Sequence, residues 1–148
     1  MEAMEEMNEI ERLLPHRTPF LFVDEIIEAS EEKIVAKHTF TENEYFFKGH
    51  FPQYPVVPGV ILIETMAQSG GAGLRKLGII GGDDSQQSSL LFLATVDKVK
   101  FRRQVRPGDE VRSEIENLRV SSKMVKQQGK AYVGNELAAE AEWMCLVG

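Results

Sequence analysis

An α+β fold, with an antiparallel sheet wrapped around one buried helix, is what the sequence predicts. Three observations carry that prediction. A helix-length apolar run follows Pro58 and holds few strongly polar residues. Segments of β-type alternation fill the second half of the chain. A first pair of such segments, split by a short polar turn, precedes the helix. The 148 residues suit one domain with one sizeable core, so residues 1–148 are read as a single domain.

Taken in order, Asn8 to Leu14 reads as a short helix stopped by Pro15. Phe20 to Ala29 is rich in Phe, Val and Ile and reads as a strand. Lys33 to Phe40 reads as its hairpin partner, with Ser30 to Glu32 at the turn. The loop from Thr41 to Val57 carries Pro52 and Pro55. The long helix should start at Pro58, since proline suits the first helical position. It should end near Gly78, a residue type favoured just past the last turn. Gly81 to Ser89 is a polar connection. Ser89 to Val96 is nearly all apolar and is predicted central and buried on both faces. Lys98 to Val105 alternates, and Pro107 to Asp109 forms a turn. Glu110 to Val120 and Lys123 to Val133 follow as strands, with a bulge or turn expected at Gln128 and Gly129. The last strand sets Leu137, Ala139, Ala141, Trp143 and Cys145 on one face, opposite Glu136, Glu140 and Glu142. The expected sum is about six strands and one long helix.

Composition narrows the class. Hydrophobic residues are 43% and charged residues 27% of the chain, an ordinary globular balance. A net charge of −6 argues against general nucleic-acid binding. One cysteine, Cys145, allows neither an internal disulfide nor a cysteine metal site, which fits a reducing compartment. The N-terminus lacks a signal pattern and no apolar run is long enough to span a membrane. A cytoplasmic enzyme or binding domain is expected, with no metal and no membrane or nucleic-acid partner.

The chemistry concentrates in GHFPQYPVVPGVILIETMAQSGG, from Gly49 to Gly71. Glu64 lies in the second turn of a helix predicted to be apolar on every side. A lone helical glutamate ordinarily reaches solvent along a polar stripe, yet few positions from Val60 to Gly73 are strongly polar. An ionised carboxylate is costly in such a site, and Gln68, four residues on, shares its face. A carboxylic acid held this way is a general acid. Gly70, Gly71 and Gly73 cost helix propensity and point to another backbone packed closely there. His50 sits in a loop stiffened by Pro52, Pro55 and Pro58, and histidine is suited to proton transfer near neutral pH. Alone, it would ordinarily be a structural histidine bonded to loop backbone. His16, in PHRTP, and His38, mid-strand without an obvious acidic partner, keep that structural reading. Gly59 opens the helix, where unpaired amides and a partial positive charge offer a place for a developing oxyanion. A base, an oxyanion site and an acid suit abstraction of a proton beside a carbonyl, with departure of a β-substituent.

With those residues in view, the segment resembles the active-site segment of the (3R)-hydroxyacyl-acyl-carrier-protein dehydratases of type II fatty-acid synthesis. LLPHRTPFLFVDEI and LFLATVDKVKFRRQVRPGDEV resemble other parts of the same family, so the likeness runs from about Leu13 to the C-terminus. The resemblance implies a hotdog fold, in which a curved antiparallel sheet wraps a long central helix. It implies a homodimer, or a trimer of dimers, with each site drawing its histidine from one subunit and its acid from the other. It implies that His50 takes the C2 proton, that protonated Glu64 assists loss of the C3 hydroxyl, and that the Gly59 amide holds the thioester carbonyl. The product would be a trans-2-enoyl thioester, formed without a cofactor. Two departures stand out: Phe92 occupies the position of a tunnel-gating tyrosine, and Thr65 replaces a smaller residue beside Glu64.

An acyl chain needs an apolar tunnel, and Phe51, Val60, Ile61, Phe92, Leu93 and Val96 are its candidates. The acyl carrier protein is acidic, and Lys98, Lys100, Arg102, Arg103 and Arg106 form the densest basic stretch, a candidate dock. A solvated strand face is as good an account of any one of them. Two other activities compete. A hotdog acyl thioesterase would need a group positioned to activate water at the thioester carbon. A dehydratase that also isomerises to the cis-3-enoyl product carries aspartate at the acid position, and Glu64 points away from it.

Overall fold

The computed structural model describes residues 7–80 and 90–148. In chain order the elements are α1 (Glu9–Leu13), β1 (Glu25–Ala29), β2 (Lys33–Thr39), a 3-10 helix (Tyr45–Lys48), α2 (Gly59–Lys76), β3 (Leu91–Phe101), β4 (Glu110–Val120), β5 (Met124–Val133) and β6 (Glu136–Val147). The six strands form one sheet in the order β1-β2-β4-β5-β6-β3, antiparallel at every pairing. α2 touches all six, so the sheet curves around it. The predicted connection from Gly81 to Ser89 lies outside the described residues.

Local chemistry accounts for both helices. Asn8 caps α1 in a reciprocal box: its side chain accepts from Glu11 N (2.9 Å), and Glu11 returns a carboxylate to Asn8 N (3.1 Å). α2 begins one residue later than expected, with Pro58 as its N-cap. It closes at Gly78, whose φ of +74° suits glycine. Gly78 N donates to Arg75 O (2.9 Å) and Ile79 N to Leu74 O (3.0 Å), the paired bonds of a Schellman ending. The helical glycines meet side chains rather than the expected backbone. A Cβ on Gly73 would lie 2.6 Å from Ile34, one on Gly71 3.0 Å from Leu91, and one on Gly70 would run into Gln127.

Several strands differ from the sequence reading, each for a physical reason. The stretch from Phe20 to Asp24 is not part of a strand and precedes β1. The Phe22 amide is the cause: it donates to the Gln68 side chain (2.8 Å) instead of a neighbouring strand. Ser89–Val96 and Lys98–Val105 are not two strands. Residues from Leu91 to Phe101 form the single strand β3, whose register shifts between Leu93 and Thr95 and again between Asp97 and Lys100, where Lys98 takes a φ of 54°. β3 is also not central. It pairs only with β6 and forms an open edge, with Phe92, Leu93 and Phe101 exposed on it. Apolar content alone does not separate a central strand from an edge that another surface covers. Gln128 and Gly129 keep register with both neighbours. Gly129 is there because a Cβ would meet the Trp143 ring at 2.6 Å.

His38 departs furthest from expectation. It is buried, and two carboxylates hold it: Nδ1 lies 2.8 Å from Asp24 Oδ1 and Nε2 2.9 Å from Glu44 Oε2. Asp24 also accepts from Thr39 N (2.8 Å). Glu44 immediately precedes the 3-10 helix, so the pair ties that turn to β2. Burial opposes the imidazolium, but the bonds to Asp24 and Glu44 outweigh it and push the His38 pKa from 6.5 up to about 9. Burial likewise works against the Asp24 carboxylate, yet its bonds to His38 and Thr39 hold it below the usual carboxylate range. Between pH 6.5 and about 9 the folded protein therefore keeps a proton on His38 that the unfolded chain releases. That stabilisation is complete below pH 6.5 and is lost as pH rises through about 9. We expect urea unfolding of the wild type to lose on the order of 2 kcal/mol relative to His38→Asn between pH 6 and pH 10. Parallel pH curves for the two proteins would overturn this.

Candidate active site

The loop before α2 holds His50 by backbone bonds at both ends of the prolyl segment. His50 N donates to Phe46 O (3.0 Å), and Val56 N donates to His50 O (2.9 Å). Its ring Nδ1 lies 3.0 Å from Val56 O. A carbonyl only accepts, so Nδ1 carries the hydrogen and Nε2 keeps its lone pair. Phe51 stacks on the imidazole with centroids 4.3 Å apart. The loop is braced from outside by Arg106, which donates from Nε to Pro55 O (2.8 Å) and lies over the Tyr54 ring (3.9 Å). Arg106 therefore serves the loop's geometry, a role its place in the basic stretch concealed.

α2 supplies the other two groups. Its first intrahelical bonds run from Ile61 N and Leu62 N to Pro58 O (2.9 and 3.3 Å). The Gly59 amide lies ahead of them, at the positive end of the helix. A Cβ at Gly59 would press on the Phe101 ring at 2.7 Å, so the space beside this amide is already lined by β3. Glu64 faces sideways from the second turn. Gln68 Nε2 donates to Glu64 Oε2 (2.9 Å) and to Phe20 O (3.1 Å), while Gln68 Oε1 accepts from Phe22 N. The Phe22 amide can only donate, so the orientation of the Gln68 amide is determined and its N–H must point at the acid. The Thr65 hydroxyl turns back to Ile61 O (2.7 Å) and does not touch Glu64.

The expectation that α2 is buried on every side fails along a stripe that includes Val60, Ile63, Glu64 and Ala67. Val60 is 70% exposed, and the Glu64 side chain keeps 22% of its surface. Within one chain the candidate residues divide between two cavities. His50, Gly59, Val60, Phe101, Arg102 and Arg103 line one of about 540 Å³. Glu64, Gln68, Phe92 and Leu93 line another of about 300 Å³, joined there by His16. Ile61 lies in the core, Val96 packs against it, and Phe51 stays exposed. The sequence makes His16 a structural histidine, whereas its ring faces Glu64 in this cavity. The signal was present, since prolines frame it in PHRTP as they frame His50.

Most of the basic stretch is paired with the protein's own acids. Lys98 meets Glu142 (3.1 Å), Arg102 meets Glu140 (2.6 Å), and Arg103 meets Asp109 and Glu136 (3.2 Å each). Lys100 lies opposite Glu140 in the ladder. Among the described residues no cluster of His, Cys, Asp and Glu is arranged to hold a metal ion, and no helix is long and apolar enough to cross a membrane.

A curved antiparallel sheet around one long helix is the hotdog arrangement. Solved structures share it. A dehydratase heterocomplex, ApeI:P from Xenorhabdus doucetiae, matches with a TM-score of 0.79 at 17% identity, over 97% of this chain and 93% of that one. The conserved protein PA5202 from Pseudomonas aeruginosa matches with a TM-score of 0.64 at 14% identity, over 93% and 98%. At such identities the likeness speaks for the fold alone. Sequence goes further: residues 14–142 match the FabA-like domain. The 3-hydroxyacyl-acyl-carrier-protein dehydratase FabZ of Desulforamulus reducens is 47% identical, over 98% of this chain and 99% of the relative. Its namesake in Pelotomaculum thermopropionicum is 44% identical, over 97% and 99%. The chain belongs to the FabA-like family and, within it, to the FabZ dehydratases.

Proposed function

We propose that this protein removes water from (3R)-hydroxyacyl thioesters carried on acyl carrier protein, giving trans-2-enoyl thioesters for type II fatty-acid synthesis. Its near full-length likeness to the FabZ enzymes supports the reaction. The observation that carries the chemistry is the Val56 carbonyl on His50 Nδ1, which leaves Nε2 as the basic nitrogen. In this reading Nε2 takes the proton from C2. Electron density moves into the C2–C3 bond as the C3–O bond breaks. Glu64, entering protonated, gives its proton to the departing hydroxyl, which leaves as water. The Gly59 amide and the α2 N-terminus stabilise charge on the thioester oxygen. His50 ends with a proton and Glu64 without one, and exchange with solvent resets both. No change in overall oxidation state occurs.

His50 and Glu64 line separate cavities of a single chain, so we assign the complete site to two copies. The open edge of β3, with its exposed Phe92 and Leu93, is the surface we assign to that contact. The acyl chain would enter along Val60, Phe92 and Leu93. The test of the reaction is spectrophotometric: the purified protein should hydrate a trans-2-enoyl thioester and release no free thiol. Thiol release without hydration would overturn the reading in favour of a thioesterase.

The basic stretch from Lys98 to Arg106 is assigned to steering the acidic carrier protein. Its intramolecular pairs make each residue a modest contributor. Charge reversal at Arg102 and Arg103 together should raise KM for carrier-bound substrate about tenfold more than KM for a small thioester. Equal changes in both would move the dock elsewhere.

A further inference from the structure

The histidine of PHRTP stands against the acid. His16 Nε2 lies 3.6 Å from Glu64 Oε2, in the cavity that Glu64, Gln68 and Arg75 line. Its other ring nitrogen, Nδ1, is buried and meets no hydrogen-bond partner. That asymmetry selects a tautomer. A hydrogen on Nδ1 would be a buried donor without an acceptor, in the neutral ring and in the imidazolium alike. The hydrogen therefore sits on Nε2 and faces the carboxyl oxygen. Burial lowers the His16 pKa against the pull of Glu64, and Arg17 and Arg75 oppose the charge as well. Across the cavity, burial pushes the Cys145 thiol up to about 11, so it adds no charge near neutral pH. The imidazole is also carried on a fixed segment. Arg17 donates to Leu14 O (2.8 Å) and His16 O (2.7 Å), and the same stretch of chain anchors Gln68 at Phe20 and Phe22.

We propose that His16 is a positioning residue for the acid step, its Nε2–H closing on Glu64 Oε2 as the acid gives up its proton. The proposal rests on the reading of Glu64 as the acid. At 3.6 Å the contact is longer than a hydrogen bond, so it does little for a protonated, neutral carboxyl. Once the proton has left, the carboxylate draws the donor in and forms a charge-assisted bond. An interaction stronger after proton transfer than before it lowers the barrier without tightening substrate binding.

The test compares His16→Phe, His16→Gln and Glu64→Gln with the wild type on a small 3-hydroxyacyl thioester. His16→Phe should lower kcat about tenfold and leave KM within about twofold. His16→Gln, whose amide also donates, should recover most of kcat. Nitrogen-15 NMR of the unaltered protein at neutral pH should find His16 neutral with its hydrogen on Nε2, which needs no variant to fold. An Nδ1–H tautomer or an imidazolium would overturn the proposal. So would an unchanged kcat in His16→Phe or no recovery in His16→Gln. Inactive Glu64→Gln beside an indifferent His16→Phe overturns the role of His16 alone. Active Glu64→Gln overturns the assignment of the acid and this proposal with it.

Discussion

His50→Ala and Glu64→Gln should each lower kcat for dehydration by about 10²–10⁴-fold, the range for losing a general base or acid. Neither change removes a core side chain, so both variants should fold. Glutamine preserves the Gln68 contact in shape but has no proton to give at an acidic pKa. The sharper expectation concerns mixtures. His50 and Glu64 line different cavities of one chain. If each working site pairs His50 of one copy with Glu64 of another, a hybrid dimer of the two inactive variants holds one intact site and one doubly defective site. Random pairing makes half of the dimers hybrids, so co-expression should return about a quarter of wild-type activity per total site. Co-expressed variants that form mixed dimers yet stay inactive would show that the site is not shared. Recovery in a strictly monomeric sample would overturn the shared site equally.

Trp143→Ala should destabilise the protein by about 3–5 kcal/mol, the largest effect on stability expected from one substitution. Trp143 is 1% exposed and sits on β6 where the sheet wraps α2. Its ring occupies the space left by Gly129 on β5, where Met66 of α2 also approaches. Its Nε1 donates to Gln127 Oε1 (3.1 Å). Truncation therefore opens a cavity at the helix–sheet contact and also orphans a buried acceptor. A domain of this size typically has about 5–15 kcal/mol in total, so roughly a third or more would be lost. The melting temperature should fall by roughly 10 °C or more. Urea unfolding at fixed protein concentration measures this, and a loss under about 1 kcal/mol would show that the ring is not a principal contact between sheet and helix.

The groups that hold Glu64 differ in legibility. Gln68 was visible from sequence because the i, i+4 spacing on a helix is a local rule, and the amide does bond to Glu64. What orients that amide was not visible, because Phe20 and Phe22 lie 48 and 46 residues away in the chain. His38 shows the same divide. Its acids, Asp24 and Glu44, are separated from it by 14 and 6 residues, and only the strand crossing brings them to its two nitrogens. The glycines of α2 mark close approaches, but of side chains rather than of the backbone that the sequence suggests. The identity of the approaching groups, Gln127, Leu91 and Ile34, belongs to tertiary packing.

The sequence by itself determined the fold class, the long helix to within a residue at its start, the last three antiparallel strands, and the membership in the dehydratase family. Each of these depends on local periodicity, on cap residues, or on a motif whose spacing is contiguous in the chain. Only the tertiary structure decided that β3 is an edge rather than the centre of the sheet. An apolar strand buried by its own chain and one left for another surface have the same residue pattern, because burial is decided by what lies opposite. It alone decided the neighbours of the acid as well. The contact between His16 and Glu64 joins two segments 48 residues apart, and no pattern along the chain encodes which distant side chain a folded backbone brings to a carboxyl group.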